Sequence, residues 1–408
     1  MRIGILHRLP FGEIHYDKVI DHDVHDVIYI GSKAALSDIP SDLRCEKIER
    51  PATAPVWEEV LAAVAGRPRL DRVVSLSEFE LLDAARVRER LDIPGKRPEE
   101  ILLVRDKVKM KGAIHAAGLR APRFAPCDAL AIGGAEALSW TGKTILKPRD
   151  GACARDMVTF ASAVEAVEAV RSGTTGVTTF EPEQFEIEEF AKGPVFHVDG
   201  VIEDGQLQFA TVGRYINTPL EYAAGTPLGS VELGERPDLA RWAKDCACAV
   251  GHHTGVFHLE GILSAEGPVF IEIGGRAGAA SIVDVFELAH GVQLNEAMLS
   301  AEVFGRIELD RSKPHHRAAP TFGWFVFPGH QLGRGGMRIE RAERFSGDRR
   351  VVRWAQLPDG HPSPDRIGYG PEDSPITGMV QGDSTADLEA FFNELFKTVR
   401  ICTSPQST

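Results

Sequence analysis

Two glutamates late in the chain have the spacing of a divalent-cation site. Glu260 and Glu272 lie in the segments GVFHLEGILS and GPVFIEIGG, which read as two strands joined by the short turn SAEG. In a tight hairpin both carboxylates can lie on one side of the sheet, and Mg²⁺ is typically held by one or two carboxylates together with substrate phosphates. Two solvated acids on adjacent strands would give the same pattern, so the pair alone leaves both interpretations open.

Three cationic residues could contact phosphate or carboxylate groups near such a site. Arg276 follows Glu272 in the glycine-rich stretch IEIGGRAGAAS, where a guanidinium can bind two oxygens at once. Lys147 ends the apolar segment TILKP before a loop with Gly151, and Lys107 begins a helical segment, so either ammonium could reach a phosphate. The loop does not match the P-loop consensus G-x-x-x-x-G-K-[ST]. Taken singly, each of these residues is more often an ordinary surface cation.

The acidic segment FEIEEFAKGPVFHVDG reads as a strand that ends in a turn. Such a strand could present its backbone N–H and C=O groups to the edge of an adenine. The carboxylate of Glu188 or Glu189 could then accept a hydrogen bond from the exocyclic amine. A charged edge strand with no ligand would have the same sequence.

The sequence segments around these residues predict an α/β (α+β) fold. The segments RIGIL, DVIYIG and RVVSL alternate with helical segments, which predicts parallel strands with crossover helices. A helix over 106–117 ends at Gly118, and Asp204-Gly205 is typical of a hairpin turn. The expected divisions are an N-terminal open α/β domain 1–95, a linker and helix 96–124, a β-rich lid 125–190, a catalytic subdomain 191–310 and a C-terminal α/β lobe 311–408.

In their order and spacing, these features together resemble the ATP-grasp superfamily over essentially the whole chain. Within it they look most like the stand-alone carboxylate–amine ligases, such as L-amino-acid ligases. An early DK motif, here Asp106-Lys107, and the late acidic pair carry much of this resemblance. The resemblance implies an ATP-grasp fold with an N-terminal α/β domain, a β-rich lid and a C-terminal lobe, and it implies ATP and Mg²⁺ as cofactors.

The resemblance also implies a role for each matching residue. Glu260 and Glu272 would carry the metal ions, and Arg276 would steady the reacting acyl phosphate and be catalytic together with Lys147. The other implied contacts are to the nucleotide, with the phosphates bound by the lysines, the adenine by the segment EEFA and the ribose by the motif HVD. These nucleotide-binding residues are Lys107, Lys147, Glu188, Glu189, Phe190, Ala191, His197 and Asp199.

Three positions depart from the superfamily pattern. Gly274 stands where a metal-binding asparagine is common, which leaves fewer protein ligands and is more similar to amino-acid ligases than to biotin-carboxylase-type members. The lid loop reads DGACARD in place of a serine- and glycine-rich loop. Val195 replaces a common glutamate, so ribose recognition would fall to His197 or Asp199.

The implied reaction is ATP-dependent activation of a carboxylate, followed by its coupling to an amine to form an amide or peptide bond. Small amino acids or peptide-like acids are the expected substrates, and the segment VGRYINTPLEYAAGTPLGSVEL is expected to cover the acceptor site. Arg214, Gly229, Ser230 and Arg276 are the candidate substrate residues, although a plain surface loop fits that segment equally well. A bicarbonate-activating, carboxylase-like enzyme and a non-catalytic ATP-binding protein remain the alternatives.

The composition restricts the possible partners. A net charge of −13 argues against a nucleic-acid binder with a broad basic surface, and the sequence has no long apolar stretch, which predicts no membrane contact and a cytoplasmic protein. The six cysteines are too sparse for a disulfide scaffold, and the Cys246/Cys248 pair is expected to pack in a helix core. A transition-metal site at His252, His253 and His258 is a minor alternative, and a homodimer is possible.

Overall fold

A computed structural model describes residues 1–132, 138–152, 154–308, 320–333, 335–364 and 366–403 of the chain. Within these residues the strands form four sheets, one parallel and three antiparallel. This mixed α/β architecture agrees with the fold class predicted from the sequence. In the described part of the chain, no helix is both long and apolar enough to cross a membrane.

The N-terminal sheet is parallel, with the strand order β3-β2-β1-β4. Its two central strands are apolar and almost wholly buried, as expected for strands covered on both faces. The three strands that the sequence predicted are confirmed, whereas the polar edge strand EKIE was not predicted. The elements are β1 (Arg2–His7), α1 (Phe11–Ile14), α2 (Tyr16–Val19), β2 (Asp26–Gly31), α3 (Lys33–Leu36), β3 (Glu46–Glu49), α4 (Val56–Val64), β4 (Arg72–Val74), α5 (Leu81–Arg90) and α6 (Pro98–Leu102).

Helix α7 (Lys107–Ala116) connects this sheet to the rest of the molecule and confirms the predicted helix. Asp106 is its N-cap, and the carboxylate accepts hydrogen bonds from the N–H groups of Val108 and Lys109. Such a cap satisfies donors that a helix start otherwise leaves unpaired. The cap therefore fixes where Lys107 begins the helix.

The segment predicted to form a lid has its own antiparallel sheet, in the order β5-β8-β6-β7, and its own apolar core. Ser162 caps its long helix by accepting from the N–H of Glu165, and Gly173 ends that helix with a left-handed φ of 70°. The elements are β5 (Phe124–Pro126), α8 (Cys127–Ile132), β6 (Thr144–Pro148), β7 (Val158–Phe160), α9 (Ala163–Ser172), a 3₁₀ turn (Pro182–Gln184) and β8 (Phe185–Glu189).

The largest sheet is antiparallel and has eight strands, in the order β13-β12-β9-β10-β11-β14-β17-β16. The predicted hairpin turn at Asp204-Gly205 joins its strands β9 and β10. Strands that precede and strands that follow the expected boundary at residue 310 share this sheet, so the expected catalytic subdomain and C-terminal lobe are not separate sheets. The first group of elements is β9 (Val195–Glu203), β10 (Gln206–Ile216), α10 (Pro219–Ala223), β11 (Leu228–Glu232), α11 (Pro237–Ala249), β12 (Gly255–Ser264), β13 (Gly267–Gly274), α12 (Ile282–His290) and α13 (Leu294–Phe304).

The C-terminal part adds three strands to this sheet and a separate two-stranded sheet, β15-β18. Its last helix begins after Ser384, which caps it, and buries an apolar stripe that includes Leu388, Phe391 and Leu395. Cys246 is likewise buried in α11, in agreement with its predicted place in a helix core. The elements are β14 (Thr321–Val326), β15 (Met337–Glu340), α14 (Glu343–Ser346), β16 (Val351–Gln356), β17 (Ile376–Gly382), α15 (Thr385–Thr398) and β18 (Arg400–Thr403).

Candidate active site

A cavity of about 590 Å³ lies between the lid sheet and the large sheet. Its volume is within the range of small-molecule sites. Most of the predicted chemical groups line it, together with apolar side chains from both sheets. The predicted site residues along its wall are Lys107, Lys147, Glu188, Phe190, Ala191, Glu260, Glu272 and Arg276.

The two predicted metal ligands face each other across the β12–β13 pair, where Glu260 is the register partner of Glu272. Tyr215 donates a hydrogen bond from its hydroxyl to Oε1 of Glu260 at 2.7 Å. Lys107 Nζ lies 3.0 Å from Oε2 of Glu272. Burial alone would raise the pKa of Glu260, but hydrogen bonds from His258 and Tyr215 hold it below its ordinary value. Glu260 is therefore ionised at neutral pH.

The donor set of this pair fits a hard cation. Two carboxylates in register on one hairpin supply oxygen ligands only, which is the chemistry that Mg²⁺ prefers. The two described partners of Glu260, Tyr215 and His258, both contact Oε1. Oε2 is thereby left for a ligand from the cavity.

Lys147 lies on β6 and belongs to a buried cluster of four charges. Its Nζ is 2.7 Å from Oε1 of Glu188, while Lys111 Nζ lies 2.5 Å from Glu186 and 2.6 Å from Glu188. Burial alone would lower the pKa of Lys147, but Glu188 and Glu186 raise it, so the side chain stays charged. Burial would raise the pKa of Glu188, but Lys111 and Lys147 lower it to about 2.

Two members of this cluster were not predicted from the sequence. Lys111 follows Lys107 by one helical turn, and Glu186 precedes Glu188 by two residues on one strand. Both spacings place side chains on a shared face. This periodicity was the available signal for Lys111 and Glu186.

The segment EEFA (residues 188–191), called the hinge below, contains two adjacent acids that lie in different surroundings. Glu188 lines the cavity, whereas Glu189 pairs at the surface with Arg123, at 2.6 and 2.8 Å. Phe190 lines the cavity beside Lys143, whose Nζ lies 3.9 Å from the ring centroid. Of the two candidate acceptors for an adenine amine, the structure therefore brings only the carboxylate of Glu188 to the cavity.

The motif expected near a ribose is buried beneath the cavity. His197 and Asp199 are 3% and 1% exposed and are not among the residues that line the cavity. His197 hydrogen-bonds to Asp199 at 2.6 Å and to the hydroxyl of Ser230 at 2.6 Å. Asp199 in turn lies 2.8 Å from Nδ1 of His258, which does line the cavity. Burial alone would lower the pKa of His258, but Asp199 and Glu260 raise it to about 10.

Arg276 lines the cavity and is held by an acid from the N-terminal part of the chain. Its guanidinium donates to Glu78, and Arg105 donates to the other oxygen of the same carboxylate. Burial would raise the pKa of Glu78, but Arg276 and Arg105 lower it to about 2. Glu78 was not predicted. No local spacing links it to Arg276, which lies 198 positions further along the chain.

The remaining substrate candidates lie outside the cavity wall. Arg214 pairs with Glu389 of α15, Gly229 packs against the ring of Phe396, and Ser230 bonds to His197. The segment that contains them does reach the cavity, but through other residues. These are Tyr215, Thr218, Pro219, Leu220 and Leu228.

The alternative transition-metal cluster does not form in the described residues. His252 bonds to Lys96 at 3.0 Å instead. A group with metal-ligand distances does occur there, but it consists of His197, Asp199 and His258.

No protein-family model matches the sequence, and no curated protein matches it either. Solved structures do match the fold. An L-amino acid ligase from Bacillus licheniformis matches with a TM-score of 0.72 and 21% identity over 99% of this chain and 98% of the other. A phosphoribosylglycinamide synthetase from Anaerococcus prevotii matches with a TM-score of 0.62 and 15% identity over 99% of each chain.

A biotin carboxylase from Campylobacter jejuni, described as a β,γ-ATP complex, matches with a TM-score of 0.61 and 15% identity. That match covers 98% of this chain and 92% of the other. At these identities the similarity establishes a shared fold along nearly the whole chain.

Proposed function

We infer from the ATP-grasp fold, which the chain has along nearly its whole length, that this protein is an ATP-dependent ligase joining a carboxylate to an amine. The observation that carries this proposal is the convergence of opposite charges on one cavity. Glu260 and Glu272 are register partners there, and Lys107, Lys147 and Arg276 line the same cavity. This is the set of groups that phosphoryl transfer needs, because catalysis then rests on positioning and on neutralising charge.

We propose that ATP binds in this cavity with its adenine at the hinge and its phosphates toward the lysines. Phe190 and Ala191 supply an apolar wall and backbone polar groups at the hinge, and Glu188 lies beside them. Lys107 and Lys147 are buried and paired with acids, and Lys147, whose pKa is raised by Glu188 and Glu186 against the effect of burial, keeps its charge for phosphate oxygens. Two of the solved ligases with this fold are described as ADP complexes, which supports a nucleotide site.

Glu260 and Glu272 are the residues proposed to hold Mg²⁺. When bound, the ion would neutralise charge that develops on the phosphates. In the first step a carboxylate oxygen of one substrate attacks the γ-phosphorus, and the bond to the β,γ-bridging oxygen breaks to release ADP. In the second step the amine nitrogen attacks the acyl carbon, inorganic phosphate leaves, and the amine loses a proton. Arg276, which lines the same cavity, is the residue proposed to stabilise the acyl phosphate between these steps.

An amino acid or peptide-like acid is the proposed carboxylate. The best-scoring of the structural matches described above is an L-amino acid ligase. Gly274 also supports this substrate class over bicarbonate, because it replaces the asparagine common in carboxylase-type members. A cytoplasmic location and a homodimer likewise stay proposals, and light scattering of the purified chain would test the dimer.

The deciding experiment is phosphate release from Mg-ATP in the presence of amino acids, supplied singly and in pairs. Release that depends on an amino acid should fall by at least about 100-fold in Glu272→Gln, since the site loses a charge that acts on the transition state. The matched control is Glu266→Gln in the same hairpin, whose carboxylate pairs with Arg120 at the surface.

Two results would contradict the proposal. Release stimulated by bicarbonate alone would favour the carboxylase alternative. ATP binding without turnover under any amino acid would favour a non-catalytic protein. Mass spectrometry of the products would distinguish an amide from hydrolysis of an unstable acyl phosphate.

A further inference from the structure

A continuous chain of buried polar contacts, three hydrogen bonds and one ion pair, runs beneath the cavity and ends at Glu260. Ser230 Oγ lies 2.6 Å from Nε2 of His197, and the other ring nitrogen of His197 lies 2.6 Å from Asp199 Oδ2. Asp199 Oδ1 lies 2.8 Å from Nδ1 of His258. Nε2 of His258 lies 3.5 Å from Oε1 of Glu260. The chain thus connects β11, β9 and β12 to one carboxylate of the proposed metal site.

The space around this chain leaves room for little else. Gly278 lies over the Asp199–His258 pair, and a Cβ added there would be 2.9 Å from Asp199 Oδ1 and from His258 Nδ1. Gly213 lies against His197, where a Cβ would be 2.3 Å from Nε2. A Cβ at either distance would force neighbouring atoms to move, so the two glycines allow the backbone to lie close to His197, Asp199 and His258. The rotamers of Asp199 and His258 are therefore fixed by packing as well as by hydrogen bonds.

The contacts to Glu260 hold one of its two carboxylate oxygens and leave the other facing away from them. Tyr215 and His258 both contact Oε1, and Tyr215 does so at 2.7 Å. A carboxylate held at one oxygen presents the other in a defined direction. Loss of a partner of this kind around a metal ligand typically lowers metal affinity about 10- to 100-fold.

We propose that Asp199, through His258, and Tyr215 are positioning residues that orient Glu260 toward the metal ion. The inference rests on the proposed function, since it assigns a task within that site. It gives the HVD motif a role different from the ribose contact implied by the sequence resemblance. Asp199 does not line the cavity, so its effect on the proposed metal site passes through His258 to Glu260.

A transition metal held by His197, Asp199 and His258 is a weaker interpretation of the same cluster. Their ligand atoms lie within 4.8 Å of one another. However, both nitrogens of His197 and both oxygens of Asp199 already have hydrogen-bond partners. An ion could enter only by breaking these bonds, whereas the positioning role uses them as they stand.

The test measures the binding of Mn²⁺ in the presence of ADP, by electron paramagnetic resonance, with Mn²⁺ as a visible substitute for Mg²⁺. In Asp199→Asn the affinity for Mn²⁺ should fall about 10- to 100-fold, the usual range for removing such a partner. Binding of ADP without any divalent ion should change less than about twofold. Tyr215→Phe, which leaves no buried charge unpaired, should weaken Mn²⁺ in the same sense.

The matched control is Glu59→Gln, which replaces a buried, hydrogen-bonded carboxylate of the N-terminal part. It should lower stability without changing the affinity for Mn²⁺. Normal Mn²⁺ affinity in both Asp199→Asn and Tyr215→Phe would overturn the inference while leaving the proposed function intact. A stoichiometric transition metal in the wild type, lost in Asp199→Asn, would replace it with the metal interpretation. Wild-type protein that binds neither ADP nor Mn²⁺ would instead overturn the proposed function, and this inference with it.

Discussion

Glu78, just beyond the N-terminal parallel sheet, forms an ion pair with Arg276, which lies in the turn after the last strand of the acidic hairpin. The same carboxylate accepts from Arg105, whose guanidinium also donates to the backbone oxygen of Asp150 at 2.8 Å. One partly buried acid therefore joins the N-terminal sheet, the loop after β6 and the proposed catalytic arginine.

Replacing Glu78 by glutamine should make the free energy of unfolding less sensitive to a fall in pH. The pKa of Glu78 is lowered from 4.5 to about 2, so its ion pairs stabilise the fold fully above pH 4.5. That contribution, about 3 kcal/mol, is lost as the pH falls from 4.5 toward 2. Thermal unfolding should show Glu78→Gln less stable than wild type at pH 7 and nearly equal to it near pH 2.

The control for this comparison is Glu46→Gln, because Glu46 pairs with Arg67 at the exposed edge of the same sheet. Exposed pairs contribute little, so this variant should behave as wild type at both pH values. Equal stability of Glu78→Gln and wild type at pH 7 would show that the two arginines do not depend on this acid.

Lys111→Met should strongly destabilise the protein, because Lys111 is fully buried between Glu186 and Glu188. Its loss leaves two buried carboxylates with Lys147 as their cation, and breaking such a pair costs about 3–5 kcal/mol. Chemical denaturation would measure this. The double variant Lys111→Met/Glu186→Gln should recover part of the loss, while Lys109→Met, on the exposed side of the same helix, should stay near wild type. Additive losses in the double variant would contradict the charge-balance argument.

Asp106→Ala should destabilise the start of α7 by about 1 kcal/mol, because it removes the cap. Asp106 also pairs with Arg149 at 2.6 Å, so a loss beyond that figure would come from the ion pair. Asp106→Ser keeps a capping oxygen and should recover the helix-start contribution alone. Melting temperatures of the two variants separate these effects. The KM for ATP should also rise in Asp106→Ala, because loss of the cap would loosen the helix start that holds Lys107 in position. An unchanged KM would mean that the cap does not position Lys107.

The acidic hairpin could be predicted because its geometry is local. Glu260 and Glu272 lie on two strands joined by a tight turn, and strand alternation decides which side each carboxylate takes. Asp106 and the helix that it caps were predictable for the same reason. Lys111 and Glu186 have an equally local signal, in the periodicity of their helix and strand, but were not predicted.

Contacts between distant segments could not be predicted in this way. Arg214 was a substrate candidate, but it and Tyr215 are adjacent on a strand, where successive side chains point to opposite faces. Which of them faces the cavity depends on β10 pairing with β9 and β11, and on α15, whose Glu389 pairs with Arg214. Asp199 is a similar case, because β12 brings His258 over it.

Lys147→Met should weaken ATP binding by about tenfold or more. The ammonium is buried at the cavity wall, and its pKa is raised by Glu188 and Glu186 against the effect of burial, so it keeps its charge at neutral and moderately alkaline pH. A charge-assisted hydrogen bond to phosphate contributes about 1.5–3 kcal/mol, and 1.4 kcal/mol corresponds to a factor of ten. Calorimetric titration with ATP would measure the loss, with Lys244→Met as the control, because Lys244 is partly exposed and does not line the cavity. If the affinity of Lys147→Met matched wild type, the phosphates would have to lie elsewhere, and the nucleotide would enter the cavity in a different orientation.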